Sequence, residues 1–154
     1  MTATEYAARI GPLQNRLYRT ACLYLNDEHA ALEAVDEAVY QGLRSVKKLR
    51  QPEYFDTWLT RILINTCKKE LRRRKRVRPM DVLPETAAEA YDALPLKEAI
   101  RHLPQALQDI IILRYYADFT LVQTAEMLAI PPGTAATRQR RALALLKLEL
   151  SEEG

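Results

Sequence analysis

Glycine is scarce in this chain, with 4 residues in 154. Nothing in it forms a glycine-rich loop able to cradle a phosphate, and the wealth of Leu, Ala and Arg favours helices. Cysteine is scarcer: Cys22 and Cys67 stand far apart inside apolar helical patterns, with no CxxC and no Cys/His cluster. That spacing argues against a metal-ligand set or a disulfide framework and for two reduced thiols in or near a core. The histidines, His29 and His102, are isolated, and no nucleophile–base spacing accompanies them, so an enzyme is not expected. No window holds the roughly 18 apolar residues that a membrane helix needs. The N-terminal Met-Thr-Ala-Thr-Glu-Tyr lacks a basic segment followed by an apolar run, so a cytoplasmic protein is expected. No β-rich run alternates with period two, which leaves an all-α fold.

Hydrophobic residues make up 48% of the chain, enough to bury a core in one ordinary domain or two small ones. The net charge of +3 decides nothing, but its distribution does. Lys68, Lys69, Arg72, Arg73, Arg74, Lys75, Arg76 and Arg78 face a single acid, Glu70, whereas Asp81, Glu85, Glu89 and Asp92 follow with no base among them. A basic end followed by an acidic stretch suggests a polyanion-facing surface and then a solvated linker.

Helical periodicity organises the first half. Tyr6, Ile10, Leu13, Leu17, Ala21 and Tyr24 predict a helix over about Thr4 to Leu25, which Gly11-Pro12 would bend or restart. Asn26-Asp27 supplies a turn and a cap. Leu32, Val35, Val39, Leu43, Val46 and Leu49 predict a second helix, Glu28 to Leu49, buried along that stripe. Gly42 weakens it by about 1 kcal/mol unless close packing requires the missing side chain. A third helix is predicted from Glu53 to Arg76, with Phe55, Trp58, Leu59, Ile62, Leu63, Thr66 and Leu71 apolar and Arg61, Asn65, Lys68, Lys69, Arg72 and Arg73 on other faces. An aromatic start and a basic continuation suit nucleic acid, by stacking on bases and neutralising phosphate. Core packing of Phe55 and Trp58, and a solvated basic helix end, are the plainer alternatives.

Val77 to Ala93, with Pro79 and Pro84, reads as a linker that is either disordered or briefly helical over Glu85 to Tyr91. We therefore expect domains at 1–78 and 94–154 joined by 79–93. In the second, Leu96, Ile100 and Leu103 predict a short helix ended by Pro104, and Gln105 to Tyr116 predicts another. Thr120 then caps a helix lined by Leu121, Ala125 and Leu128. Ile130-Pro131-Pro132-Gly133 ends that helix and starts the next, which presents Thr134, Thr137, Arg138, Arg140 and Arg141 and runs on through Leu143, Leu145, Leu146, Leu148 and Leu150. This punctuation suggests a helix-turn-helix whose second helix enters the DNA major groove. A helical hairpin with a solvated basic face is the alternative.

Taken together, the residues resemble the bacterial extracytoplasmic-function sigma factors of the sigma-70 family over about Leu17 to Leu150. The anchors are Leu17-Tyr18-Arg19, Tyr24-Leu25 and Glu37-Ala38, and above all Phe55-Asp56-Thr57-Trp58-Leu59-Thr60-Arg61-Ile62-Leu63-Ile64-Asn65, which is similar to the family's F-x-T-W-L-x-R-I-x-x-N block. Leu103-Pro104, Ile112-Leu113-Arg114-Tyr115-Tyr116 and Pro132-Gly133-Thr134 resemble the second domain's signature. The resemblance implies two helical domains, sigma region 2 and sigma region 4, and no enzyme, cofactor, metal or small-molecule substrate. It implies an alternative sigma factor, in a stress or envelope response, that binds core RNA polymerase through the β′ clamp helices and the β flap and directs promoter-specific initiation. An anti-sigma factor, often membrane-bound, is a further implied partner.

By position, Glu33, Asp36 and Glu37 are the implied core contacts. Arg61 and Asn65, with Trp58, Lys68, Lys69 and Arg72, are the implied readers of the separated −10 element, and the loop from Arg50 to Phe55 corresponds to a pocket for a flipped base. Thr134, Ala136, Thr137, Arg138, Arg140 and Arg141 fall on the −35 recognition helix, where Arg discriminates guanine by about 1–3 kcal/mol. Several positions depart from the family pattern: Glu33 stands for an aspartate and keeps its charge, Asp36 stands for a glutamine, Thr124 for an apolar residue, Ala129 for a glycine, and Ala136 for a long basic side chain. A buried Thr124 needs a hydrogen-bond partner, and a carbonyl of the preceding turn is the expected one. Two other readings remain open at this level: a non-sigma helix-turn-helix regulator, and a sigma-like decoy that sequesters a protein partner.

Overall fold

A computed structural model of the chain describes residues 1–77 and 94–153. The fold is all-α, with no strand among the described residues. The chain divides into two compact units, Met1–Thr86 and Ala87–Gly154. The linker expected at 79–93, the helix left open over Glu85 to Tyr91, and Arg78 of the basic run lie outside the described residues.

The first unit packs three helices on one another. Helix α1 spans Ala3–Leu25 and is capped by Thr2, whose hydroxyl accepts from the Glu5 amide. Pro12 does not restart it: the helix runs unbroken through Gly11 and Pro12. Pro12 and Gly11 sit on the exposed side, where water takes over the hydrogen bond the ring removes. Asn26 closes α1 in the left-handed conformation, and Arg74 donates from Nη1 to the Leu25 carbonyl at 2.8 Å. A distant cation thus satisfies a carbonyl that the helix end leaves open.

Helix α2 spans Glu28–Ser45, capped by Asp27, and gives way to a 3₁₀ turn over Val46–Lys48 rather than running to Leu49. Its buried stripe also differs from the one expected. Ala31, Ala34, Val35, Ala38 and Gly42 face the core, while Leu32 and Leu43 are 53% and 46% exposed. The reason is close packing: the Tyr6 hydroxyl donates to the Val39 carbonyl at 2.6 Å, and a Cβ on Gly42 would meet that hydroxyl oxygen and, at 2.9 Å, Leu59 Cδ1. Small residues are what let α1 and α3 approach so near.

A 3₁₀ turn over Pro52–Tyr54 leads into α3, Phe55–Val77, which starts two residues later than expected. Phe55, Leu59, Leu63 and Cys67 are fully buried on one side. The Phe55 ring meets Tyr6 edge-on at 5.6 Å, so it belongs to the core and not to a base-stacking surface. Cys67 is a buried thiol, pushed up to about 12 chiefly by that burial, and Cys22 is a half-buried one.

The second unit opens with α4, Leu94–His102, and α5, Gln105–Ile111. The helix continues past Ile111 as a π-helical segment, Ile112–Tyr116, in which the Ala117 amide reaches the Ile112 carbonyl at 3.0 Å. Asp118 then takes a left-handed conformation, φ 63°. Thr120 and Gln123 form a reciprocal capping box at the start of α6, Leu121–Leu128. This satisfies two amides that the helix start would otherwise leave open. Ala129 ends α6 in the left-handed conformation, φ 56°, and α7 runs over Pro132–Glu153. Ile110, Ala125 and Ala135 are the buried centre of this unit, with Leu121, Leu128 and Ile130 packed around them. Of the late leucines in α7, Leu146 is buried and Leu143, Leu145 and Leu148 are exposed. His102 pairs with Glu149 and joins α4 to the end of α7.

Thr124 is fully buried, and its hydroxyl has no hydrogen-bond partner. The carbonyl partner expected for it is not taken up.

Candidate nucleic-acid interface

In the first unit the expected −10 residues come together on one face of α3. Trp58, Arg61, Asn65, Lys68, Lys69 and Arg72 recur at three- and four-residue steps, opposite the buried Leu59, Leu63 and Cys67. Arg61, Asn65, Lys69 and Arg72 are exposed; Trp58 and Lys68 are half-buried. At 1.5 Å per residue the row is about 20 Å long. Trp58 leans on Phe55, ring centroids 6.0 Å apart, so the core fixes one side of its indole. Arg9 and Arg16 of α1 lie 3.7 Å from Asp56, and the Arg9 guanidinium covers the Phe55 ring at 4.9 Å. Further cations therefore flank the start of the row.

The basic run is divided by its own geometry. Glu70 receives Arg73 Nε at 2.6 Å and lies 3.4 Å from Arg74 Nε, and the hydrogen bond from Arg73 holds its carboxyl below the usual range despite partial burial. Arg74 thus serves the fold through its bond to Leu25, and Arg73 is paired with Glu70 along the same helix while remaining exposed. Lys69 and Arg72 point outward. Periodicity alone does not separate these two classes.

In the second unit, α7 displays Thr137, Arg140 and Arg141 as exposed residues and Thr134, Ala136 and Arg138 as half-buried ones. Ala135 and Ala142, both fully buried, anchor the helix from behind. The Thr137 hydroxyl donates to the Gly133 carbonyl at 3.1 Å and accepts from Arg140 Nη2 at 3.3 Å. This leaves the Thr137 methyl and the remaining Arg140 donors for a groove, in keeping with apolar contact to thymine and bidentate contact to guanine.

Arg114, in the π-helical segment, was assigned no role by the resemblance. Its Nε donates to Gln139 Oε1 of α7 at 2.9 Å, and its Nη1 donates to the Phe119 carbonyl at 2.8 Å.

The expected core contacts Glu33, Asp36 and Glu37 are exposed on α2. Glu33 meets His29 Nε2 at 2.6 Å, and Glu37 accepts from Gln41 at 2.9 Å. Sequence reasoning missed their neighbours: Leu32, Leu43 and Tyr40, the last 56% exposed, lie on the same outward side. A mixed acidic and apolar face is characteristic of a protein contact rather than a DNA contact. The small residues at positions 31, 34, 38 and 42 were the available signal, since a buried small-residue stripe turns the leucines outward. Among the described residues no group of three or more His, Cys, Asp or Glu side chains could hold a metal ion, and no helix is long and apolar enough to cross a membrane.

Comparison with known proteins follows the same division. Sigma-70 region 2 matches residues 10–77, and Sigma-70 region 4 matches residues 99–148. The chain is 35% identical to the RNA polymerase sigma factor SigV of Bacillus subtilis over 141 residues, covering 88% of this chain and 85% of that one. It is 24% identical to the ECF RNA polymerase sigma factor SigW of the same organism, covering 90% and 85%. Its fold is similar to that of the sigma factor RpoE solved with the anti-sigma factor NepR from Bartonella quintana (TM-score 0.86, 18% identity, 97% and 98% covered). It is also similar to that of CnrH solved with the cytosolic domain of CnrY (TM-score 0.81, 16% identity, 99% and 92% covered). The two units, in the same order along the chain, thus have counterparts in one family, and the chain belongs to the extracytoplasmic-function sigma factors of the sigma-70 family.

Proposed function

We propose that this alternative sigma factor binds core RNA polymerase through the outward face of α2, with Glu33, Asp36 and Glu37 as its charged contacts and Leu32, Tyr40 and Leu43 as its apolar ones. In this reading residues 1–78 carry core binding and −10 recognition, 79–93 link, and 94–154 carry −35 recognition. The observation that carries it is the exposed row from Arg61 to Arg72 on α3, followed in the same chain by the helix-turn-helix. A row of cations and one amide on a rigid helix suits a separated strand: Arg and Lys neutralise phosphates, and Asn65 offers both donors and an acceptor to a base edge. The second unit suits duplex, because α7 fits the major groove. Core polymerase, promoter DNA and an anti-sigma factor are the partners, the last being the class of protein with which the similar RpoE was solved.

Reconstituted transcription tests this. The chain with core polymerase, presented with a promoter library, selects a discrete promoter and starts transcription from it. Failure to select any promoter at any salt concentration sinks the reading. Core binding without initiation supports a decoy, and tight promoter binding without core supports a stand-alone regulator.

A further inference from the structure

Arg114 holds the recognition helix from outside the helix-turn-helix. Its guanidinium reaches two acceptors, Gln139 Oε1 at 2.9 Å and the Phe119 carbonyl at 2.8 Å, and lies 5.5 Å from the Tyr115 ring. Gln139 sits between Arg138 and Arg140 in α7, and Phe119 immediately precedes Thr120, the cap of α6. One side chain thus ties the approach to α6 to the body of α7. A guanidinium is planar and carries its donors in a fixed fork, so two satisfied acceptors define a distance and a rotation at once. Because it only donates, the Gln139 oxygen must face it, and the amide's own donors face elsewhere. The residue belongs to a π-helical segment, a rare form that frequently occurs at functional sites.

Base reading requires such control. A bidentate contact between an arginine and a guanine edge works only when the helix lies at the right roll and depth in the groove. We propose that Arg114 is a positioning residue for promoter recognition. By bridging Gln139 and the Phe119 carbonyl it sets the roll of α7, and with it the register at which Thr137, Arg140 and Arg141 meet the upstream base edges. The inference rests on the reading of α7 as the −35 reader.

The test uses the full chain assembled with core RNA polymerase and a library of promoter duplexes randomised in the upstream element, with bound duplexes sequenced. Arg114→Gln and Gln139→Leu each lower the preference for the selected upstream element over scrambled ones by about tenfold. The double variant loses no more than the worse single one, because both changes break the same contact. Gln139→Glu gives Arg114 a charged acceptor and keeps the wild-type preference. The slope of log affinity against log salt stays at the wild-type value, since no phosphate contact is removed. Arg114→Lys keeps the charge but not the fork, so it follows Arg114→Gln and provides a second variant should that one fold poorly.

Additive losses in the double variant overturn the inference. So does a salt slope lowered by about one in Arg114→Gln, which would place the guanidinium on a phosphate. A purely structural Arg114 would lower total affinity and the unfolding midpoint together and leave the preference ratio unmoved, and that too overturns it. Wild-type enrichment with unaffected variants removes the inference alone; a wild-type holoenzyme that enriches no upstream element removes the sigma reading with it.

Discussion

The Thr124 hydroxyl is a polar group in a dry place. It is fully buried at the centre of the second unit without a partner, and an unsatisfied buried hydroxyl costs about 1–3 kcal/mol. Thr124→Val keeps the shape and removes that cost, so it should raise stability by about 1 kcal/mol in urea unfolding. Ala129 carries a second local cost, since a left-handed residue with a Cβ is disfavoured by about 1–2 kcal/mol. Ala129→Gly should recover part of it, a few tenths to about 1 kcal/mol after glycine's greater freedom in the unfolded chain is counted; an unchanged urea midpoint would refute this. Tyr6 adds a pH dependence in the first unit. Burial pushes its phenol up to about 12 from 10.0, and its proton is the one donated to Val39. The folded state therefore binds the proton more tightly than the unfolded state. The stability it contributes is complete below pH 10 and is lost as pH rises towards 12. Tyr6→Phe should flatten that alkaline limb, as read by circular dichroism at fixed urea; Cys67, also pushed up to about 12, leaves a residual slope.

Helices show where periodicity informs and where it does not. The start and end of α6 were legible because the Thr120 cap and the prolines at 131 and 132 are local chemistry. The apolar side of α3 was legible because Leu59 and Leu63 are large and the residues opposite them are charged. On α2 two stripes compete, one of leucines and one of alanines with Gly42, and hydropathy favours the wrong one. Only the approach of Tyr6 and Leu59 decides between them, and that contact is made across the fold. Gly42→Ala should accordingly destabilise the first unit by about 1–3 kcal/mol, the range for overpacking a tight contact, where an ordinary helix interior would gain about 1 kcal/mol from the change. The sign of the shift in thermal midpoint separates the two. The site residues of α3 were legible as types and spacing, but the withdrawal of Arg73 and Arg74 into bonds with Glu70 and Leu25 was not. For the exposed row we expect Asn65→Ala to impair promoter opening and leave core binding intact. Permanganate footprinting and a core-binding assay read the two separately, and equal losses in both would mean that Asn65 is structural.

At the level of the whole molecule, the proposed function puts both units to work on one polymerase, so a lesion in either should silence transcription by a different route. Asp36→Arg places a cation on the outward face of α2 and should abolish core binding with the unfolding midpoint unchanged, whereas Arg141→Ala should spare core binding and weaken upstream duplex contact. The outward face of α2 has one more consequence. Leu32, Tyr40 and Leu43 remain in water until a partner covers them, so any partner that binds the folded chain and not the unfolded one shifts its folding equilibrium by mass action. A partner present at a hundred times its dissociation constant adds about 2.7 kcal/mol. In a cell the lifetime of this chain should then follow the supply of whatever occupies that face. A pulse-chase measurement should find the chain short-lived when core polymerase is scarce.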